Sequence, residues 1–548
     1  MLKKIFLLTT LVFILFTNRL VSQVVWEDPN SEVYHFLYRM AQKGLIRYDD
    51  NIRPLSRVYL AACLDSLESR SNELSEIEIK ELRFYQRDFT DQRSFLQNTS
   101  TEKKSLFSKD PYHRWRSISV ASGSFLLRVD PVLSAATISG SGKQVTRYSS
   151  GFNLYGYGNK HWGFFLSYND INEKGNGIDT LRNFTSEPGI VTKIASNGKS
   201  HNFSELRGGI SYSWNNGSIS LGQDRLTWGY GENGHIVLSA KAPAYPYIRL
   251  DYQPLPWLSF QYTHAWLQSG ILDSARTYRT GYTAYGGIRE LFVRKFMAQH
   301  SLRIGLTKGV DLAIGESMVY SDELNIGYLI PVSFFKIYDN LINNNRINNG
   351  SNGQLFAQIS SRNNIRNTHL YGTLFIDEIR LGSIFDRTKS RNQLGYTVGA
   401  SVTDLGIPYL TVGLEYTRIN PFVYRNLIPA QDYTSHQYSL GDWMGNNSDR
   451  FIASLKYTPL PRLKMALRYQ SLRKGGAGTI DQQYFQQPQP AFLFDLQRKQ
   501  QEWHFQCSYE WYNNLYLTGA YTYTHNSYSA APAKITDRSL YLGIRYGL

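Results

Sequence analysis

Residues 449–470, DRFIASLKYTPLPRLKMALRYQ, decide the fold class. Phe451, Ala453, Leu455 and Tyr457 alternate with Ser454, Lys456 and Thr458. Pro459-Leu-Pro461 marks a turn, after which Leu463, Met465, Leu467 and Tyr469 alternate with Lys464, Arg468 and Gln470. A period of two sends successive side chains to opposite faces of a strand. The stretch therefore reads as a hairpin with one apolar face and one polar, basic face. The same pattern holds at 205–214, where Leu206, Ile210, Tyr212 and Trp214 oppose Glu205, Arg207, Ser211 and Ser213. It returns at the end of the chain, where Leu540, Leu542, Ile544, Tyr546 and Leu548 oppose Ser539, Tyr541, Gly543 and Arg545. A dyad repeat of about ten residues, with aromatics toward the strand ends, is the mark of a transmembrane β-barrel.

Connection lengths separate this reading from a β-sandwich or propeller, which alternation alone does not exclude. Short links at 159–160, 215–217, 253–256, 308–311, 404–408, 459–461 and 512–514 alternate with long ones. The long ones fall at 171–204, 227–244, 269–292, 321–352, 377–392, 419–448 and 472–500. Barrels in the outer membrane have short periplasmic turns and long external loops, whereas a propeller repeats a four-strand blade. The pattern predicts an all-β transmembrane barrel of about 18 antiparallel strands over 113–548. An even count places both ends of that body in the periplasm.

Composition agrees. The chain has 548 residues, of which 14% are aromatic, with 40 Tyr, 28 Phe and 10 Trp. So many rings exclude a disordered chain. A mean hydropathy of −0.37 is too polar for a bundle of membrane helices. Two cysteines make neither a disulfide framework nor a Cys-based zinc cluster. The net charge of +15 is assigned to a charged lumen and external rim, not to nucleic-acid binding.

The N-terminus differs from the body. Lys3 and Lys4, the apolar run Ile5–Phe16 and the small Ser22 describe a signal peptide over 1–22. Residues 23–112 carry helical periodicity and predict a small periplasmic α-helical bundle. Ser31, Ser56 and the Ser75-to-Glu78 capping-box spacing open three amphipathic helices. The surroundings implied are outer-membrane lipid, with barrel-assembly machinery during biogenesis.

Motifs with catalytic meaning are sparse. Gly229-Tyr-Gly231-Glu-Asn-Gly234 matches a dinucleotide fingerprint in letters only, because no helical pattern follows it. No cofactor, metal or catalytic residue is expected. Asp377-Glu378 reads as an acid/base pair, a cation site or a solvated rim. Asp442 and Asp449, near Asn446 and Asn447, read as a cation site or as turn residues. Alternation puts Arg207, Arg249, Arg303, Lys456, Lys464, Arg468 and Arg545 inside the barrel, with Tyr247 and Tyr541. These basic groups either attract anionic solutes or pair with Glu205, Asp251 and Glu415 to fill the interior.

Three stretches carry a family resemblance. One is Gly222-Gln-Asp-Arg225-Leu-Thr-Trp228-Gly-Tyr230-Gly231 with Leu238-Ser239-Ala-Lys-Ala-Pro243-Ala-Tyr-Pro246-Tyr-Ile248. The second is Leu374-Phe-Ile-Asp377-Glu378-Ile379. The third runs from Glu415-Tyr416-Thr-Arg418-Ile-Asn420-Pro421 through Tyr424 and Tyr433 to Leu440-Gly441 and Gly445-Asn-Asn-Ser-Asp449. Together they resemble the capsule-assembly Wzi family. Tyr230 departs from the pattern, since the family often has proline after Trp-Gly. The resemblance implies an outer-membrane barrel with a periplasmic helical bundle that acts as a lectin for capsular or surface polysaccharide. The polysaccharide-binding residues it points to, with the basic lumen, are Arg225, Trp228, Tyr230, Arg207, Arg249, Asp377, Glu378, Arg418 and Tyr424. The alternatives are a diffusion porin for anionic solutes or oligosaccharides, and a hydrolase built on Asp377-Glu378.

Overall fold

The computed structural model describes residues 24–96, 103–110, 112–191, 193–194, 198–282, 286–343, 350–379, 382, 386 and 391–547. The expected signal peptide and Leu548 lie outside the described residues. No described helix is long and apolar enough to cross a membrane.

Strands alternate with turns from Phe125–Gly140 to Ala531–Tyr546, and 18 of them close into one antiparallel barrel. Residues 540–546 of the last strand pair with 133–139 of the first. The other half of that first strand, 125–129, pairs with a hairpin formed by Lys103–Lys109 and Trp115–Ser122. The sheet continuous with the barrel thus begins at Lys103, within the stretch expected to be helical. Closure gives each of the 18 barrel strands a neighbour on both sides, as hydrocarbon requires of a spanning sheet.

The hairpin read from 449–470 is Ser448–Leu460 paired with Leu463–Lys474. Phe451 and Leu455 are exposed on the outside, and so are Leu206, Ile210, Leu540, Leu542 and Ile544. Arg207, Ser211, Ser213 and Ser454 are buried on the inner face. Short and long connections alternate as expected, with two exceptions. The links at 141–142 and 529–530 are tight turns on the long-loop side. Both flank the seam between the first and last barrel strands.

The N-terminal head has four helices where periodicity predicted three: Val33–Gln42, Arg57–Glu68, Glu76–Gln86 and Thr90–Leu96. Ser56 caps the second by accepting from the Tyr59 N–H at 3.2 Å. Ser75 and Glu78 form the reciprocal capping box of the third. The first is preceded by Glu32 with no side-chain cap, so Ser31 does not serve. The third helix ends at Gln86 with Arg87 as its C-cap, and the fourth begins at Thr90. Leu37, Met40, Leu60, Leu64, Leu67 and Leu82 fill the bundle core, each worth roughly 2 kcal/mol of burial.

The head is seated inside the short-turn end of the barrel. Tyr38 Oη lies 2.7 Å from His369 Nδ1 and 2.9 Å from Ser401 Oγ on the inner wall. Ion pairs ring it: Asp28 with Arg207 at 2.5 Å, Asp49 with Arg303 at 2.8 Å, Glu81 with Lys464 at 2.5 Å, and Arg87 with Glu510 at 2.7 Å.

Candidate functional site at the outer mouth

The long loop 225–244 turns inward and meets the head within the lumen. Ile52–Arg53 pairs antiparallel with Thr227–Trp228, and the Gly229 N–H donates to the Asn51 carbonyl at 2.8 Å. Leu226, Trp228, Ile236, Val237 and Leu238 then form an apolar core against wall residues Tyr247, Phe356 and Phe375. The loop 420–447 adds Val423, Tyr424, Tyr433 and Leu440 from above. Tyr424 Oη donates to the Ile236 carbonyl at 2.6 Å, and Tyr433 Oη to that of Val237 at 2.8 Å. At this level the interior is filled by packed apolar side chains.

The fingerprint-like glycines belong to this plug. Gly234 has φ +153°, and a Cβ there would collide with the Asp442 carboxylate. That carboxylate is paired with the buried Arg450 at 2.9 Å. Asp449 is held by Arg473 at 2.5 Å and by Tyr416 Oη at 2.9 Å. Both acids are structural. Among the described residues no three or more His, Cys, Asp or Glu are placed to hold a metal.

The inner-wall cations resolve toward pairing. Arg249 binds Asp251 at 2.8 Å and stacks over Trp26 at 3.9 Å. Arg207 is held at 2.6 Å by Asp224, and Lys456 at 2.8 Å by Glu232. Arg468 meets Glu502 at 3.2 Å, while Arg545 stays exposed. Of the anticipated acidic partners, Asp251 does pair with Arg249. Glu205 serves Arg225 at 3.2 Å, and Glu415 accepts from Tyr371 Oη at 2.7 Å.

Above the plug lie two adjoining cavities that share Arg425. One, of about 230 Å³, is lined by Phe184, Trp443 and Tyr438 with Asn183, Lys241 and Asp432. The other, of about 260 Å³, is lined by Asp377, Glu378, Lys336, Asn340, Asn426 and Tyr484. Phe184 and Trp443 stand edge to face, 5.4 Å apart. The indole N–H of Trp443 donates to the Asn233 carbonyl at 2.6 Å, which fixes the ring. Lys241 donates to the carbonyls of Arg182 and Glu187 at 2.6 and 2.7 Å. Burial pulls its ammonium down to about 8, with Glu187 opposing and Arg182 adding to the effect. Arg425 donates to the Ala477 and Gly478 carbonyls at 2.8 and 2.7 Å. These contacts hold the guanidinium at the junction of the two cavities. Aromatic faces beside fixed amide, carboxylate and guanidinium groups match the alternating C–H and hydroxyl surfaces of sugar rings.

The sequence-predicted residues divide. Asp377 and Glu378 line the groove. Asp377 accepts from the Tyr424 N–H at 2.7 Å and from Gln354 at 3.2 Å, and Glu378 pairs with Arg391 at 3.1 Å. Arg418 sits at a strand end over the Phe492 ring at 3.8 Å. Tyr424 borders the groove but is buried and stacked on Tyr433 at 5.6 Å. Trp228, Arg207 and Arg249 are buried in the plug and wall. Tyr230 packs at 5.1 Å on His369, far below the mouth loops. Phe184, Lys241, Arg425, Tyr438 and Trp443 were not anticipated. The signal for them was an aromatic or cation within a long external link.

No family model matches the sequence, and no curated protein matches it. Among solved structures, one similar to this chain is described as Wzi, a carbohydrate-binding β-barrel of the outer membrane involved in group 1 capsule assembly in Escherichia coli. It aligns with a TM-score of 0.58 at 12% identity, over 96% of this chain and 100% of that one. OprD of Pseudomonas aeruginosa aligns with a TM-score of 0.42 at 12% identity, over 77% and 93%. OccK3 (OpdO) of the same organism gives 0.41 and 12%, over 77% and 95%.

Proposed function

We propose that this chain is an outer-membrane barrel that binds surface polysaccharide at its outer mouth and holds it there without a catalytic step. The long loops face outward and the helical head faces the periplasm. The observation that carries this reading is the groove of rings and fixed polar groups set above a filled lumen. The barrel likeness to a carbohydrate-binding protein supports the architecture. A lumen occupied by head and loops stands against a diffusion porin. Asp377 and Glu378 are each engaged by neighbouring donors, which stands against a free acid/base pair.

The test is glycan-array binding by the purified protein, at low and high salt, with Phe184→Ala and Arg425→Ala. Each variant is expected to weaken the best glycan at least tenfold, since losing a ring contact or a charged hydrogen bond costs about 1.5–3 kcal/mol. Absence of any glycan binding, together with single-channel conductance in planar bilayers, would reverse the reading in favour of a porin.

A further inference from the structure

One external loop does not stay at the mouth. Register shows that Tyr262, His300, Glu316, Met318 and Tyr320 point outward from the barrel. They belong to strands Leu258–Leu272, Phe292–Thr307 and Val310–Ser321, whose inward partners are Thr263, Gln299 and Ser317. Outward residues of a membrane barrel face hydrocarbon. Yet Tyr262, Glu316, Met318 and Tyr320 are buried.

The segment 322–343 covers them. It descends from Ser321 over the outside of the barrel and includes the helix Phe335–Ile342. Tyr328 and Phe335 pack with Tyr262, Phe296, Met318 and Tyr320. Glu316 accepts from the Phe335 N–H at 2.5 Å. His300 Nδ1 lies 2.9 Å from the Pro331 carbonyl, and its Nε2 lies 3.3 Å from Glu316 Oε1. Tyr262 Oη donates to the Tyr328 carbonyl at 2.8 Å. The strap thus shields a polar pair that hydrocarbon would not tolerate.

The strap's own outer face is apolar. Ile326 and Val332 are each 75% exposed and Leu341 is 74% exposed, with Phe334 and Ile337 also exposed beside them. This face is continuous with the barrel's exterior. Leu355, directly across from Glu316 in the next strand, is 48% exposed, and Ile314, two residues along the same outer face, is exposed too. Glu316 lies five residues in from Ser321, so the strap reaches on the order of 10 Å below the strand's outer end. The charged Asp322 and Glu323 stay at its upper end, where headgroups lie.

We propose that segment 324–342 is a membrane-embedded strap whose outer face contacts the acyl chains of the bilayer. The partner is lipid because the face is aliphatic, because the barrel's apolar exterior surrounds it, and because polar groups are turned inward beneath it. The strap's other edge, through Lys336 and Asn340, lines the mouth groove, so lipid contact also fixes one wall of that groove.

The test is spin labelling in proteoliposomes, in a Cys63→Ala, Cys507→Ala background, at Leu341→Cys and Val332→Cys. Leu355→Cys serves as the lipid-facing reference and Tyr282→Cys, on an external loop, as the water-facing one. Both strap labels are expected to collide with oxygen in preference to a water-soluble nickel chelate, as at Leu355. Accessibility to nickel like that at Tyr282 would overturn the proposal. Protection from both reagents, with dipolar broadening between labels, would overturn it in favour of a second copy of this chain as the occupant. Retained heat-modifiable gel migration of each variant shows that the barrel has formed.

Discussion

Replacing Asp50 with Asn is expected to loosen the head from the barrel wall. Asp50 is buried and accepts from Arg362 at 2.5 Å and from Arg53 at 2.9 Å. Burial alone would raise its carboxyl, but the two guanidinium groups outweigh it and hold the carboxyl at about 2 against the usual 3.8. That gap is worth about 2 kcal/mol of stability at neutral pH. The substitution also strands Arg362, whose guanidinium lies within 5.9 Å of the Tyr38, Tyr48 and Tyr230 rings. Removing one partner of a buried pair costs about 3–5 kcal/mol. At the low end, the undocked population rises about a hundredfold.

Hydrogen–deuterium exchange at pH 7 in detergent reads this directly. Peptides over 50–55 and 226–231 carry the pairing of Ile52–Arg53 with Thr227–Trp228, so both should lose protection in Asp50→Asn. The double variant Asp50→Asn, Arg362→Met should recover part of it, since the buried Arg362 charge is then not left alone, while the partly exposed Arg53 still loses its partner. Glu76→Gln, which removes an exposed pair with Lys80, should change nothing. Wild-type exchange at 50–55 in Asp50→Asn would refute the claim that this pair clamps the head.

Acid should act in the same direction. A carboxyl depressed in the folded state stabilises above its unfolded value of 3.8, and that contribution fades as pH falls toward about 2. Protection at 50–55, taken relative to the intrinsic amide exchange rate at each pH, should therefore fall between pH 4 and pH 2 and be flat above pH 5. Trp228→Ala should lower the thermal midpoint measured by near-ultraviolet circular dichroism, at a cost of about 3–5 kcal/mol for a ring buried in the plug. Cys63 is buried and its thiol is pushed up to about 12 by burial. It should resist iodoacetamide at pH 8 in the folded protein and react once guanidinium unfolds it.

The barrel was legible because one face of each strand meets an apolar exterior and the other meets the interior, so alternation survives residue by residue, as at Phe451–Tyr457. The head was legible through its local caps at Ser56 and Ser75. What was not legible depends on separation along the chain. Nothing in the sequence near Arg362 announces Asp50, and nothing near Glu510 announces Arg87. The basic inner face read equally as an anion attractor or as half of a set of ion pairs, and its partners come from the head, the inward loop and the wall itself. The strap was hidden for a different reason. Its apolar residues lie in a segment, 321–352, that connection length marks as an external loop. The groove was legible only at Asp377 and Glu378, because its other walls come from loops with no periodicity.

The placement of the head bears on how the molecule is made. Its ion partners lie at Arg207, Arg303, Asp404, Lys464 and Glu510, which are spread around nearly the whole ring. The head is finished early in the chain, while the strand that closes the ring is finished last. Its contacts therefore have very high contact order, and each must await a strand hundreds of residues away. Docking of the bundle and zipping of the seam at 540–546 are therefore coupled, because the full ring of head contacts exists only once every strand is in place. A chain cut short before the last hairpins would leave its buried arginines and carboxylates facing water across an open edge.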